Sequence, residues 1–543
     1  MARFNATKSA SKNAPIARVR PDGAHLNWMG GPSYDVRSPL VRLRIAAASC
    51  FFGEPMYYHA DKGASTPARA PAASLTAGQR AHLRDTLRAI DPVEWRDASP
   101  SELMESAIDA ALAHDPEATL QLAVWLRAEE HVRTTPQVIL VRAANHPKVR
   151  GTGLVRRYAP AIVRRADEPA VGLAYQLWRF GKPVPNALKR AWADALEGFG
   201  AYELAKYRME RRAVKTVDVV NLVHAKSPHV AALAKGELTV ADQTWEAIVS
   251  AKGSNADAWR AALPAMGHMA LLRNLRNLLG ANVSAPQWVD RLVNGARKGK
   301  QLPFRYFSAY RAVKEGANAS GAALDAIEKC LALSLGNLPR LRGRVMSLCD
   351  NSGSARGATT SSMGSMAVAT IANLTGVLAA QCCDDGHVGV FGDRLTDIVV
   401  RKGASVMQQL EEVERLGQAV GQGTENGVWL FWERAIRERQ HWDTVFVFSD
   451  MQAGHGGLYG TDPKAYAEFA WGRTSYIDVP MLVAAYRARV NPKVNVFMVQ
   501  VAGYHDTLVP EFYERTYILG GWGEGLLRFA AEMADIGDGR AAQ

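Results

Sequence analysis

Cysteine is scarce in this sequence, acidic residues are scarce in its first two thirds, and long apolar runs are missing. The five cysteines (Cys50, Cys330, Cys349, Cys382 and Cys383) are odd in number and none stands in a Cys-x-x-Cys pair. Adjacent Cys382 and Cys383 would bond each other only with severe strain, so reduced thiols are expected, without a disulfide framework or structural zinc. No apolar run reaches the ~18 residues that a membrane span needs. Residues 1–20 lack an apolar centre, so they are no secretory signal. Residues 1–24 read as a flexible, mildly basic arm on a cytoplasmic protein without membrane attachment. No Ser-His-Asp set, phosphate loop or nuclease-like carboxylate cluster is found, and the chain is expected not to be an enzyme.

What is present is a long, unevenly charged chain. At 543 residues it exceeds one ordinary core, so two or three domains are expected. The net charge of +12 hides an asymmetry: residues 341–543 carry 18 Lys+Arg against 23 Asp+Glu, leaving 47 against 30 in residues 1–340. A basic excess confined to one part of a chain points to an anionic partner for that part, nucleic acid or acidic lipid.

The two parts also differ in pattern. Apolar residues recur at spacings of three and four over 103–113, 117–130, 135–145, 188–196, 216–223 and 288–299, with Pro or Gly between. Such a density of short helices predicts a helical-repeat solenoid over 25–340, although no clean fixed-period repeat is present. Residues 59–80, rich in Ala, Ser, Thr and Pro, read as an irregular surface insertion. From 341 onward apolar strands (344–349, 387–391, 444–448, 494–501) alternate with helices (362–381, 405–418, 427–439, 481–489, 524–534). That alternation predicts a doubly wound, mostly parallel α/β domain over 341–543. Ligands of such sheets bind beyond the carboxyl ends of the strands.

Three loops at that edge carry oxygen donors. Asp350-Asn351-Ser352-Gly353-Ser354 follows the first strand, Ser449-Asp450 follows the 444–448 strand, and Gly421-Gln422-Gly423-Thr424 opens a helix between them. Oxygen-only ligands favour a hard divalent cation, Mg²⁺ or Mn²⁺, with water completing the shell. Glycines 353, 421 and 423 would permit the tight turns. By itself Asp-x-Ser-x-Ser is equally a helix cap. The combination resembles the metal-ion-dependent adhesion site of von Willebrand factor A domains. That resemblance makes Asp350, Ser352, Ser354 and Thr424 ligands, with Asp450 acting directly or through water. Met451-Gln452 stands where many such domains have Gly, which touches the fine coordination.

In the basic part, one stretch runs from Lys206-Tyr207-Arg208 through Arg211-Arg212 and Lys215 to His224-Ala225-Lys226. If helical, it would set positions 208, 211, 212 and 215 on one face toward a phosphate backbone. His224 could donate to phosphate or stack on a base. A solvated helix face with an ordinary packed histidine is the alternative. In Arg273-Asn274-Leu275-Arg276-Asn277, leucines 272, 275 and 278 seat a helix, and a structural role is favoured over RNA contact.

Together with Phe52-Gly53, Tyr57-Tyr58 and Pro303-Phe304-Arg305-Tyr306, and in this domain order, these phrases resemble the Ro autoantigen family, in its bacterial form. The family's helical part is the TROVE module. The resemblance implies a ring of HEAT-like α-helical repeats closed by a von Willebrand A domain, in a monomer. It implies binding of small noncoding Y RNA on a basic outer surface and of single-stranded 3′ ends of misfolded RNAs in the central hole. It further implies a role in RNA quality control as a chaperone or scaffold, with an exoribonuclease, polynucleotide phosphorylase, as a partner. The family's Y RNA contacts match Lys206, Arg211 and His224, the arginine only with one inserted residue, so Arg208 or Arg212 could take its part; Lys226 lies beside them. A metal-dependent protein-binding adapter is the competing expectation.

Overall fold

The computed structural model describes residues 24–26, 32–35, 38–49, 100–210, 212, 214–238, 244–299, 301, 303–358, 367–422, 427–449, 469, 479–501, 506–507, 515–520 and 524–537. Residues 1–23 of the arm expected at 1–24 and the insertion at 59–80 lie outside them, while Ala24 begins a strand. The chain divides into two compact units, one holding residues 108–337 and the other residues 338–543 together with an N-terminal portion.

The first unit is helical. Helices Pro116–Ala128, Leu154–Ile162 and Asn186–Gly198 pack in succession as one layer, and Thr134–Asn145 and Glu168–Arg179 pack as a second. Helix Thr216–Val223 joins the end of both layers. Each buries one apolar stripe at helical spacing: Leu120, Ala123 and Leu126; Val155, Ala159 and Ile162; Leu188, Trp192 and Leu196. The layers approach closely where Gly172 meets Trp192, since a Cβ there would lie 2.9 Å from the indole. Caps written in the sequence start several helices: Asp115 accepts from the Ala118 N–H at 3.0 Å and Asn255 from Ala258 at 2.9 Å. The two-layer stacking is that of a helical repeat even though no sequence period announces it, because only the buried stripes repeat.

The second unit centres on a six-stranded sheet. After β1 (Ala24–Leu26) and β2 (Pro32–Asp35), its strands are β3 (Leu341–Asp350), β4 (Cys383–Phe391), β5 (Leu395–Val399), β6 (Thr444–Ser449), β7 (Asn495–Gln500) and β9 (Thr516–Gly520). The order is β5-β4-β3-β6-β7-β9, parallel except for the edge strand β5. Strands β1, β2 and the short β8 (Asp506–Thr507) form a separate antiparallel sheet, and helix Pro39–Ser49 packs on β9. The expected doubly wound domain is therefore present, with β5, β9 and the small sheet added.

The inner strands are apolar on both faces because both are covered. Helix Val368–Gln381 lies on one face, where the Cys349 thiol donates to the Ala372 carbonyl at 3.2 Å. On the other, Met346 and Leu348 pack with Trp432, Trp442 and Tyr486. Gly386 on β4 lets the end of that helix come close: a Cβ would fall 2.1 Å from the Ala380 carbonyl oxygen. Backbone cannot yield as a side chain can, so Gly386→Ala is expected to cost about 3 kcal/mol, read as a lowered urea midpoint.

Candidate functional site

The chain leaves β3 for β4 and β5 on one side, then crosses to β6, β7 and β9 on the other, so the switch point lies between the carboxyl ends of β3 and β6. Asp350, fully buried, ends β3 there. Its Oδ1 accepts from the Ser352 N–H at 2.9 Å and its Oδ2 from the Ser449 hydroxyl at 2.6 Å. The Ser352 and Ser354 hydroxyl oxygens stand 3.2 Å apart. One buried carboxylate with two hydroxyls beside it is a hard-oxygen donor set. The set fits a divalent cation.

The loop is braced on every side. The Asn351 N–H donates to the Phe391 carbonyl at 2.8 Å, and the Asn351 and Asn373 side-chain amides pair reciprocally at 2.8 and 3.0 Å. Gly417 is small because a Cβ there would sit 2.1 Å from Asn351 Oδ1. The Gly353 N–H donates to the Gln422 carbonyl at 2.6 Å, linking the first loop to the second. That second loop turns at Gly421, whose φ of +92° needs glycine. It is held by Asp393, which accepts from the Gln422 N–H at 3.1 Å, and by Arg356, which donates to the Gly421 carbonyl at 2.6 Å. Burial, with the Asp350 charge beside it, pushes the Cys349 thiol well up, so it stays protonated.

Asp350, Ser352 and Ser354 are thus brought together, while Thr424 and Asp450 lie outside the described residues. Sequence reasoning passed over Ser449 as a partner of Asp350, and missed the bracing by Asn351, Asn373, Asp393 and Arg356. The one available signal was Asn373, a polar residue amid the apolar Ile371-Ala372 and Leu374 of a helix.

The basic stretch departs from the expected helix. Helix Ala201–Lys206 stops at Lys206, and the described residues that follow (207–210, 212, 214 and 215) are not helical. Met209 takes a left-handed φ of 59°. Buried Thr216 ties the segment back, its hydroxyl donating to the Tyr207 carbonyl at 2.5 Å and its N–H to the Arg208 carbonyl at 3.0 Å. Asp218 accepts from the Lys215 N–H at 2.8 Å and restarts a helix over Thr216–Val223. Positions 208, 212 and 215 therefore do not share a helix face; Arg211 lies outside the described residues.

The cations differ in how free they are. Lys206 is half-buried, its ammonium 3.2 Å from the Tyr202 hydroxyl and 3.9 Å from Glu246, near the Tyr202 and Tyr207 rings. Burial works against its charge, but Tyr202, Glu246 and Tyr207 outweigh that and hold the ammonium above its ordinary value. Arg208 pairs with Glu210 at 3.2 Å. Arg212, His224 and Lys226 are exposed. His224 ends its helix in a left-handed turn, φ 54°, and Glu197 pins that turn by accepting from the Lys226 N–H at 2.6 Å. The helix that follows, Pro228–Ala234, packs against Ala201–Lys206, so Lys206 and this corner stand on adjoining elements.

In the second basic stretch Asn274 separates two short helices, His268–Arg273 and Leu275–Gly280. Its amide donates to the Ala270 carbonyl at 2.8 Å and accepts from Asn277 at 3.0 Å, while Leu272, Leu275 and Leu278 are buried. The asparagines have the structural role expected of them.

A two-layered helical module and a doubly wound α/β domain with a carboxylate–hydroxyl loop at its switch point define the class. The model of the TROVE domain family matches residues 237–329, downstream of the Lys206–Lys226 stretch. Among solved structures, the crystal structure of the Deinococcus radiodurans RO (RSR) protein matches with a TM-score of 0.55 at 15% identity, covering 93% of this chain and 100% of that one. No curated protein matches the chain. Residues 237–329 are thus similar to a TROVE domain, and the chain shares the fold of that RO structure.

Proposed function

We propose that this chain is a non-catalytic RNA-binding protein of the Ro type. It binds small noncoding Y RNA at the basic corner formed by Arg212, His224 and Lys226, with Lys206 behind it. It takes single-stranded 3′ ends of misfolded RNAs in a central hole, and serves RNA quality control as a cytoplasmic chaperone or scaffold. A 3′ exoribonuclease such as polynucleotide phosphorylase is its partner. The observation that carries this reading is the exposed corner itself: His224 and Lys226 on a turn pinned by Glu197, with Arg212 exposed on the segment before that helix, in the part of the chain with 47 basic against 30 acidic residues. Among the described residues no helix is long and apolar enough to cross a membrane.

The Asp350 loop has a separate task in this reading. Asp350, Ser352 and Ser354, joined by Thr424 and Asp450, hold Mg²⁺ or Mn²⁺. The bound ion supplies an electrophile for a partner's carboxylate, and Ser449, Asn351 and Arg356 keep the donors in place. The hydroxyl-rich donor set favours capture of an acidic side chain over hydrolysis, since no base stands beside Asp350 among the described residues.

RNA that co-purifies with the protein at low salt, extracted and sequenced, tests the main reading. Retention that falls steeply as salt rises is expected. Retention indifferent to ionic strength would overturn it and favour the adapter.

A further inference from the structure

Helix Glu168–Arg179 ends on an open aromatic surface. Leu177 is 37%, Trp178 64% and Phe180 38% exposed, although Ala170, Leu173 and Tyr175 earlier in the helix are buried. A tryptophan this open leaves a large apolar ring in water, which is informative where a scattered leucine is not.

The surface is stiff. The Tyr175 ring lies 5.9 Å from Trp178 and 6.3 Å from Phe180, edge-on to the latter at 81°. Beneath them Arg142, 6% exposed, sits 5.5 Å from the Phe180 ring centre, donates to the Tyr175 hydroxyl at 2.7 Å and pairs with Asp109. Burial opposes the Arg142 charge, but Asp109 and Tyr175 hold the guanidinium above its ordinary value. Past Phe180, Gln176 donates to the Gly181 carbonyl at 3.1 Å and accepts from Asn145 at 2.7 Å, which fixes the turn. A part-buried hydrogen-bond network thus lies beneath the exposed rings.

The surroundings are strongly positive. Residues 148–190 contain ten Lys and Arg against two Asp and Glu; Arg156, Arg157 and Arg165 of these pair with Asp194, Glu117 and Asp167, while exposed Arg179 and Lys182 stand next to the aromatic residues in the chain. The occupant must be anionic and present flat π-faces. A second copy meeting it through the same face would bring the same positive charge, and a peptide of acidic residues alone would leave the indole uncovered. Single-stranded nucleic acid satisfies both requirements, with bases on aromatic faces and phosphates on cations.

We propose that Trp178 and Phe180 form a base-stacking site for single-stranded RNA, with Arg179 and Lys182 on the adjoining phosphates. It is built from other residues than the His224–Lys226 corner and rests on the RNA reading above. Stacking is indifferent to base identity, so the site recognises unpaired strand; bases inside a duplex cannot reach the ring.

The test is fluorescence anisotropy of the full chain with labelled oligoadenylate and with an RNA duplex of matched length. Trp178→Ala should weaken single-strand binding about tenfold and leave duplex binding unchanged, and Trp178→Phe should restore most of the loss. Circular dichroism melting checks that both variants fold. Equal loss on both RNAs, or none on either, overturns the site. Loss of self-association in Trp178→Ala, seen by sedimentation with RNA affinity intact, also overturns it and makes the patch a protein interface. If the unaltered chain fails to bind any RNA, the RNA reading itself falls; if it binds and Trp178→Ala binds equally, only this site falls.

Discussion

Asp350→Ala is expected to abolish any response of thermal stability to Mg²⁺ or Mn²⁺. The unaltered chain should melt higher as the ion is added, because an ion that binds only the folded state stabilises it by about 2.7 kcal/mol at a hundredfold excess over Kd. In chelator the substitution has a second effect. The Ser449 hydroxyl and Ser352 N–H both donate to this buried carboxylate, and alanine leaves them without that acceptor. Two buried donors stripped of a partner cost about 2 kcal/mol or more. Asp350→Asn separates the effects: it keeps an acceptor of the same shape for Ser449 but removes the charge the cation needs. Its chelator stability should lie nearer the unaltered chain while its metal response is lost. A metal-dependent rise that persists in both variants would refute the assignment.

The second large effect is expected at the basic corner. The combined substitution Arg212→Ala, His224→Ala and Lys226→Ala should lower Y RNA affinity on the order of 100-fold at fixed salt. The slope of log affinity against log salt should shrink by about 2, one unit for each lost phosphate contact of Arg212 and Lys226. All three side chains are exposed, so melting should be unchanged. Lys206→Ala should weaken binding less, because Tyr202 and Glu246 already occupy its ammonium. A filter-binding salt series measures both, and a slope unaltered by the triple substitution would place the RNA elsewhere.

The physical origin of each feature decides how much of it was legible beforehand. Strands β3, β6 and β7 carry near-continuous apolar runs because parallel strands are covered on both faces, so composition alone marks them. Edge strands β5 and β9 carry weaker patterns, since an edge is half solvated, and only pairing with β4 and β7 reveals them. The helical layers were legible as a solenoid from the density of helices but without a fixed period, because what recurs is the buried stripe and not the residue identity.

Local chemistry determined a good deal by itself. The helical and α/β parts, the charge asymmetry, the caps at Asp115 and Asn255, and the Asp350 loop at a strand end all follow from residues near one another in the chain. Tertiary structure alone decided what joins distant residues. It set Ser449 against Asp350, 99 residues apart, and Asn373 against Asn351, 22 apart. It broke the expected helix at Lys206, because Thr216 supplies the Tyr207 and Arg208 carbonyls with donors that a continuous helix would have replaced. It also left Trp178 in solvent at the end of a helix whose earlier apolar residues, Ala170, Leu173 and Tyr175, are buried. A sequence records which groups are apolar or polar; which of them find partners depends on contacts that only the folded chain makes.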